Sequence, residues 1–170
     1  AGKTTLFKLI KAEYSVDSGE IKIKKEASVG GVSQDVPNGP ETLIDTVISA
    51  DPELSSLLKE ENIAFDPIRI AEIQERLSDI NGYSAEARAS SILSGLGFNN
   101  FDQQRSCNEF SGGWQMRVAL ASVLFSAPAL LLLDEPTNYL DLEGSLWLES
   151  FLFKYSKTVV LISHDRSILT

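Results

Sequence analysis

Two stretches of this 170-residue chain hold residue types that could do chemistry. In Phe110-Ser111-Gly112-Gly113-Trp114-Gln115-Met116-Arg117 a serine and two glycines precede a helical pattern. In Leu130-Leu131-Leu132-Leu133-Asp134-Glu135-Pro136-Thr137-Asn138-Tyr139-Leu140-Asp141 four leucines run into an acidic pair. The leucines read as a fully buried strand that delivers Asp134 and Glu135 at its carboxyl end. Such a pair suits nucleotide chemistry, one carboxylate for a metal shell and the other for a water molecule.

A third stretch, Ala1-Gly2-Lys3-Thr4-Thr5-Leu6, resembles the tail of a phosphate-binding loop, G-x-x-x-x-G-K-[ST], without its first half. Gly2 would let the backbone approach a phosphate, Lys3 would reach the β- and γ-phosphates, and the Thr4 hydroxyl would bind Mg²⁺. Thr5 could touch the α-phosphate. With the strand and first glycine of that loop not in view, the chain reads as a piece of a longer protein. Asp134 is then a second group for the metal shell, and Glu135 a general base for water attacking a γ-phosphate.

The elements that must position these groups follow from periodicity. Residues 3–11 form an amphipathic helix through Leu6, Leu9 and Ile10. Glu20-Ile21-Lys22-Ile23-Lys24 alternates as a strand with one wet face, and a second short strand covers 27–33 and ends at Gln34. Asp35-Val36-Pro37-Asn38-Gly39-Pro40 is a loop and a subdomain boundary. From 41 to about 100 the pattern is mainly helical. One stripe is Leu54, Leu57 and Leu58; a second is Ile70, Ile73, Leu77 and Ile80. A third is Ala89, Ile92, Leu93 and Leu96, with Ser84 as its cap and Gly97 as its stop. After Ser111 a helix over 113–125 leads to the leucine strand. A helix with Leu146, Trp147, Phe151 and Leu152 follows, then the strand Thr158-Val159-Val160-Leu161-Ile162 before Ser163-His164-Asp165. Strand, helix, strand with short loops is a parallel βαβ unit. Glu135 and His164 then emerge at neighbouring carboxyl edges, where open α/β sheets bind ligands.

Taken singly, several of these groups have plainer readings: Ser111 as a helix cap, Gln34 as a surface amide, His164 as a structural histidine. In combination, the signature-like stretch and the leucine–acid stretch are similar to the signature sequence and Walker B region of the ATP-binding cassette family. The resemblance covers essentially the whole chain. It implies an α/β fold: a P-loop cassette with a parallel core sheet, a small antiparallel β part and an inserted helical subdomain. The expected division is a partial ATP-binding core over 1–34, the helical subdomain over 35–110, and the signature helix with the catalytic core over 111–170. It further implies ATP and Mg²⁺ as cofactors. Glu135 would be the catalytic base and His164 the switch histidine on the γ-phosphate; Gln34 would be the Q-loop glutamine touching Mg²⁺, with Thr4 and Asp134. Ser111, Gly112 and Gly113 would serve a nucleotide held by a second, opposing cassette, with Asp141 spanning the two.

Trp114 and the run Thr137-Asn138-Tyr139-Leu140-Asp141 look most like the F subfamily, here its first cassette. Tyr139 stands where that subfamily often has His. The subfamily implies two cassettes on one chain, no membrane domain, and action on the ribosome near the peptidyl-tRNA site. A nucleotide-binding subunit of a membrane transporter is the alternative. A chromosome-maintenance ATPase is disfavoured, because one compact insert rather than a long coiled coil separates the phosphate loop from the signature.

Apolar content of 43% and charged content of 23% are ordinary for a soluble globular protein. The formal charge of −9 argues against this segment being the main nucleic-acid grip, so any ribosome or tRNA contact is expected outside it. Lys22, Lys24 and Lys25 read as a solvated strand edge. No apolar run of about 18 residues is present to span a membrane. The lone Cys107 has no partner for an internal disulfide, which with the nucleotide motifs points to a reducing cytoplasm.

Overall fold

The structure is a computed structural model that describes residues 2–32 and 35–164. Three parallel strands lie in the order β1-β2-β3: β1 (Val29–Gly31), β2 (Leu130–Asp134) and β3 (Thr158–Ile162). The register pairs Leu130 with Val29 on one side and with Thr158 on the other. β2 is therefore central, and Leu131, Leu132 and Leu133 are buried, as a strand covered on both faces requires. Its last residue, Asp134, returns to the surface opposite Ile162.

Eight helices accompany the sheet among the described residues: α1 (Lys3–Ile10), α2 (Leu43–Ile48), α3 (Pro52–Glu61), α4 (Pro67–Asp79), α5 (Ala85–Gly95), α6 (Asn100–Gln103), α7 (Gly112–Ser126) and α8 (Leu142–Phe153). Their boundaries are chemical. Asp51 and Asp66 accept the backbone N–H of Leu54 and Ile68, and each is followed by proline at the first helical position. α3 and α4 pack as a hairpin, Ile73 and Leu77 inward, with Arg69 bonded to Glu60 and Arg76 to Glu53 across the outer face.

Most of the buried apolar side chains form one cluster. It runs from Leu43, Leu77 and Leu93 through Val118 and Leu124 of α7 to Leu131, Leu133 and Leu148. The three apolar stripes expected over 41–100 supply much of its helical side. The helical region is thus joined to the sheet through α7, which packs against α2, α5 and β1.

Two local expectations fail. Residues 20–24 form no strand and stay exposed, Ile21 and Ile23 included. Alternation describes one face of a strand but supplies no partner, and among the described residues no segment pairs with this one, so its ladder groups have nothing to bond. For the same reason no antiparallel β part forms there; the antiparallel pairing recorded is the single bridge Thr42–Ser106. Ser84 stands at the start of α5 without capping it: its hydroxyl donates to Asn81 O instead. Gly97 does stop α5, at φ +98°, a left-handed conformation that glycine enters without strain.

Candidate nucleotide site at the carboxyl edge of the sheet

The site assembles where three elements end together. α1 begins after Gly2, whose φ of +94° turns the chain into the helix, and Lys3, Thr4 and Thr5 lie exposed on its first turn. The Thr4 hydroxyl donates to Asp134 Oδ2 at 2.7 Å, bridging α1 and the end of β2 across 130 residues of sequence. Asp134 is exposed, so burial does not force a counterion on it. A hydroxyl and a carboxylate side by side are hard oxygen donors, which fits Mg²⁺. That ion is usually held by one or two protein oxygens, with phosphate and water filling the rest. No cluster of three or more His, Cys, Asp or Glu occurs among the described residues, so a site built from protein ligands alone does not form there.

Glu135 departs from the strand in a left-handed conformation, φ +48°. For a non-glycine residue this costs on the order of 1 kcal/mol, a strain found mainly at functional turns. Its N–H still donates to Ile162 O at 2.8 Å, so the turn is anchored to β3. The carboxylate leans toward that strand, where Oε2 accepts the His164 backbone N–H at 3.1 Å. Oε1 is buried and accepts no hydrogen bond, and His164 Nε2 lies 3.3 Å from it. The His164 ring is exposed. A cavity of about 610 Å³ opens beside this edge, with Thr4, Lys8, Asp134, Glu135, Arg117 and Tyr139 in its wall.

The structure therefore brings together Thr4, Asp134, Glu135 and His164, with Gly2, Lys3 and Thr5 on the adjoining helix start. Gln34 and Asp165 lie outside the described residues. Ser111, Gly112 and Gly113 are elsewhere: they are exposed at the N-terminus of the 15-residue α7 and make no hydrogen bond to the Thr4–Asp134–Glu135 group. A methyl group added at either glycine would meet nothing within 4 Å, so the helix start is open to a large ligand or surface. Asp141 has local duties. It caps α8 by accepting the Gly144 N–H at 2.8 Å and lies 3.3 Å from Arg117 Nη1. The Gly144 N–H first, and Arg117 after it, hold its carboxyl below the usual aspartate range.

Two residues that sequence reasoning passed over shape the surroundings. Gln115, buried in the first turn of α7, donates from Nε2 to Asn38 Oδ1 at 3.1 Å and to Cys107 O at 3.2 Å. It thereby ties the signature helix to the loop that follows β1. Arg117 reaches three residues on two separate segments, Leu96 at the end of α5 and Tyr139 and Asp141 after β2. A polar side chain on the inner face of an apolar helix was the available signal for Gln115; a single arginine two residues further on carried none.

The sequence matches the ABC transporter family over residues 1–138. It is 43% identical over 171 residues to the probable ATP-binding protein YheS of Escherichia coli strain K12, covering 99% of this chain and 27% of that protein. It is 40% identical over 179 residues to ATP-binding cassette sub-family F member 3 of Mus musculus, covering 99% of this chain and 24% of that one. The chain thus spans about a quarter of the length of these relatives. Among solved structures, the RNase-L inhibitor superposes with a TM-score of 0.63 at 25% identity, over 99% of this chain and 28% of that one. An archaeal ribosome recycling factor in complex with a ribosomal stalk protein superposes with a TM-score of 0.64 at 25% identity, over 99% and 28%. The chain belongs to the ATP-binding cassette family of ATPases, and the relatives it resembles along nearly its whole length are members of the F subfamily.

Proposed function

We propose that this chain is one cassette of a paired-cassette enzyme that hydrolyses ATP to ADP and phosphate and acts on the ribosome. The observation that carries the catalytic part is the meeting of Thr4, Asp134, Glu135 and His164 at one sheet edge, contributed by α1, β2 and the end of β3. ATP would lie with its phosphates on the N-terminus of α1, where free N–H groups and Lys3 take up negative charge. Gln34 would act as the γ-phosphate sensor. Thr4 and Asp134, with Gln34, would hold Mg²⁺, which when bound supplies charge neutralisation on the β- and γ-phosphate oxygens.

Glu135 is the base. Its carboxylate accepts a proton from a water molecule as the water oxygen attacks the γ-phosphorus; the bond to the bridging oxygen breaks and its electron pair leaves with ADP. The Oε2 bond to the His164 N–H fixes the carboxylate, and the His164 ring, 3.3 Å from Oε1, would reach the γ-phosphate from the same side. Ser111, Gly112 and Gly113, remote from this cluster and open at the α7 N-terminus, would complete the site of a second cassette, with Asp141 at the shared boundary. On this reading 35–110 is the inserted helical subdomain and the two parts flanking it form the catalytic core.

The ribosomal part rests on the F-subfamily relatives and on the superposition with a recycling factor bound to a ribosomal stalk protein. Trp114 and Asn138 stand where transporter cassettes usually carry other residues, which favours this reading over a transporter subunit. No helix among the described residues is long and apolar enough to cross a membrane. The cytoplasm is the proposed location. The test is co-sedimentation of the full-length protein carrying Glu135→Gln with ribosomes, in ATP and in ADP. Pelleting in ATP and release in ADP supports the assignment; recovery in the supernatant in both states sinks the ribosomal role while leaving the hydrolytic one standing.

A further inference from the structure

Arg117 has a bonding pattern that the hydrolytic reading does not call for. It lies in the second turn of α7, with its side chain only 11% exposed. Nε donates to Tyr139 O at 2.6 Å, and Nη1 donates to Leu96 O at 3.0 Å and to Asp141 Oδ2 at 3.3 Å. The guanidinium carbon stands 4.2 Å from the Trp114 ring centroid, so the planar group is stacked as well as bonded. Leu96 O is one of the orphan carbonyls that close α5, and a cation is the natural partner at a helix C-terminus. The space for the guanidinium is reserved: a methyl group on Gly97 would fall 2.9 Å from Nη1 and 3.6 Å from the Trp114 ring.

Tyr139 ends the tight turn Pro136–Tyr139, which starts one residue after Glu135 and is closed by Asn138 N–H donating to Glu135 O at 3.1 Å. Moving the Tyr139 carbonyl therefore moves the Glu135 backbone, which already sits in a strained conformation with little room to adjust. Asp141, at the far end of the same segment, is held by the same guanidinium.

We propose that Arg117 is a positioning residue. It clamps the carboxyl end of the Glu135-to-Asp141 turn, at Tyr139 and Asp141, to the start of the signature helix and to the end of α5. The proposal rests on the hydrolytic role of Glu135. Its consequence is that the serine–glycine helix start, which faces outward, and the carboxylate that works inward belong to one mechanical unit. Arg117 adds a directional polar link to the packing of α7 on the Pro136–Tyr139 turn, so a tilt of α7 is passed toward Glu135. Lysine is no substitute, because a point-like ammonium on a flexible stem cannot serve two carbonyls and a carboxylate in this planar arrangement.

The test is steady-state ATP turnover of the full-length protein with Arg117→Gln, Arg117→Lys and Glu135→Gln, each beside its thermal melting curve. Misplacement of a catalytic group by a fraction of an ångström to an ångström lowers turnover by about tenfold to a hundredfold. Arg117→Gln is expected to lose kcat in that range while KM for ATP stays within about twofold, since Arg117 makes no hydrogen bond to the described residues assigned to the phosphates or Mg²⁺. Arg117→Lys, which keeps the charge beside Asp141, is expected to fall between it and the native protein. Should Arg117→Gln fail to fold, Arg117→Lys decides alone: a native kcat overturns the proposal, and a reduced kcat with native KM and melting sustains it. A kcat that falls only in step with the melting temperature, or with KM, also overturns it. If Glu135→Gln abolishes turnover while both Arg117 variants remain native, the positioning role fails and the catalytic reading stands. If Glu135→Gln itself turns over normally, the catalytic reading fails and takes this one with it.

Discussion

Gly95, the last residue of α5, sets two physical effects against each other, and the structure decides between them. Replacing a helical glycine by alanine ordinarily stabilises, here by at most about 1 kcal/mol, because the unfolded chain loses freedom. But the added methyl group would fall inside the Trp147 indole of α8. Trp147 cannot simply swing aside. Its ring centroid lies 5.2 Å from that of Phe151 at a tilt of 32°, and both rings pack against the core cluster. Displacing it would re-expose on the order of half of the roughly 200 Å² that a tryptophan buries, about 2.5 kcal/mol at 25 cal/mol per Å². The net expectation for Gly95→Ala is a loss of about 1.5 kcal/mol, near the middle of the range for overpacked cores. In a domain of this size that is a fall of about 3–6 °C in melting temperature. Urea denaturation followed by circular dichroism, with Gly95→Ala made alone and in a Trp147→Leu background, separates the two terms as a double-mutant cycle. In the Trp147→Leu background the same substitution should be neutral or stabilising. Stabilisation by Gly95→Ala in the native background would refute the α5–α8 contact on which the calculation rests.

Lys3→Ala should weaken ATP binding itself, by tenfold or more in calorimetry, as expected for a lysine that meets two phosphates; unchanged affinity would remove Lys3 from the phosphate site. Leu131→Ala, at a fully buried central-strand position, should cost about 2–5 kcal/mol in denaturant unfolding, and a loss below about 1 kcal/mol would mean the strand is not covered on both faces. Acid should destabilise the helical region. Hydrogen bonds from Arg76 and Arg69 hold Glu53 and Glu60 below the usual glutamate range, while the Ser106 N–H, then Arg105, do the same for Glu109. Depressed carboxylates stabilise above their unfolded pKa and lose that contribution as pH falls through the folded values. Melting temperature should thus be flat with respect to these groups above about pH 5 and decline below about pH 4. These pairs are exposed, so the decline should be small and shallower at high salt; a decline that starts near neutral pH would point to other groups.

The parts of this architecture that could be read from residues alone are those in which pattern and partner coincide. Four leucines before an acidic pair specify a buried strand and what it delivers, because only a central parallel strand is dry on both faces. The second parallel strand follows from the βαβ spacing, and with it the meeting of Glu135 and His164 at one edge. The apolar stripes over 41–100 were legible because helical periodicity is local. Residues 20–24 were not, because alternation is a statement about one strand and pairing is a statement about two. The Thr4–Asp134 bond was implied only by assigning both residues to one metal shell; their direct contact needed the fold. Arg117 lay inside a recognised motif with no sign of its partners, since Leu96 and the Tyr139–Asp141 stretch are brought to it by two distant segments. Asp141 illustrates the reverse: its place in a motif suggested an intermolecular role, and the structure adds a helix cap and an ion pair that spacing alone does not announce.

The central claim is that the Glu135 carboxylate takes the proton from the attacking water. Glutamine can keep the Oε2 bond to the His164 N–H and the shape of the side chain while removing the base. The decisive measurement is ATP affinity and single-turnover hydrolysis for the full-length protein with and without Glu135→Gln. The account predicts native affinity with hydrolysis slowed by about a hundredfold to ten-thousandfold, the ordinary worth of a general base. Native affinity with hydrolysis slowed less than about tenfold would contradict it, and the base would have to be sought elsewhere.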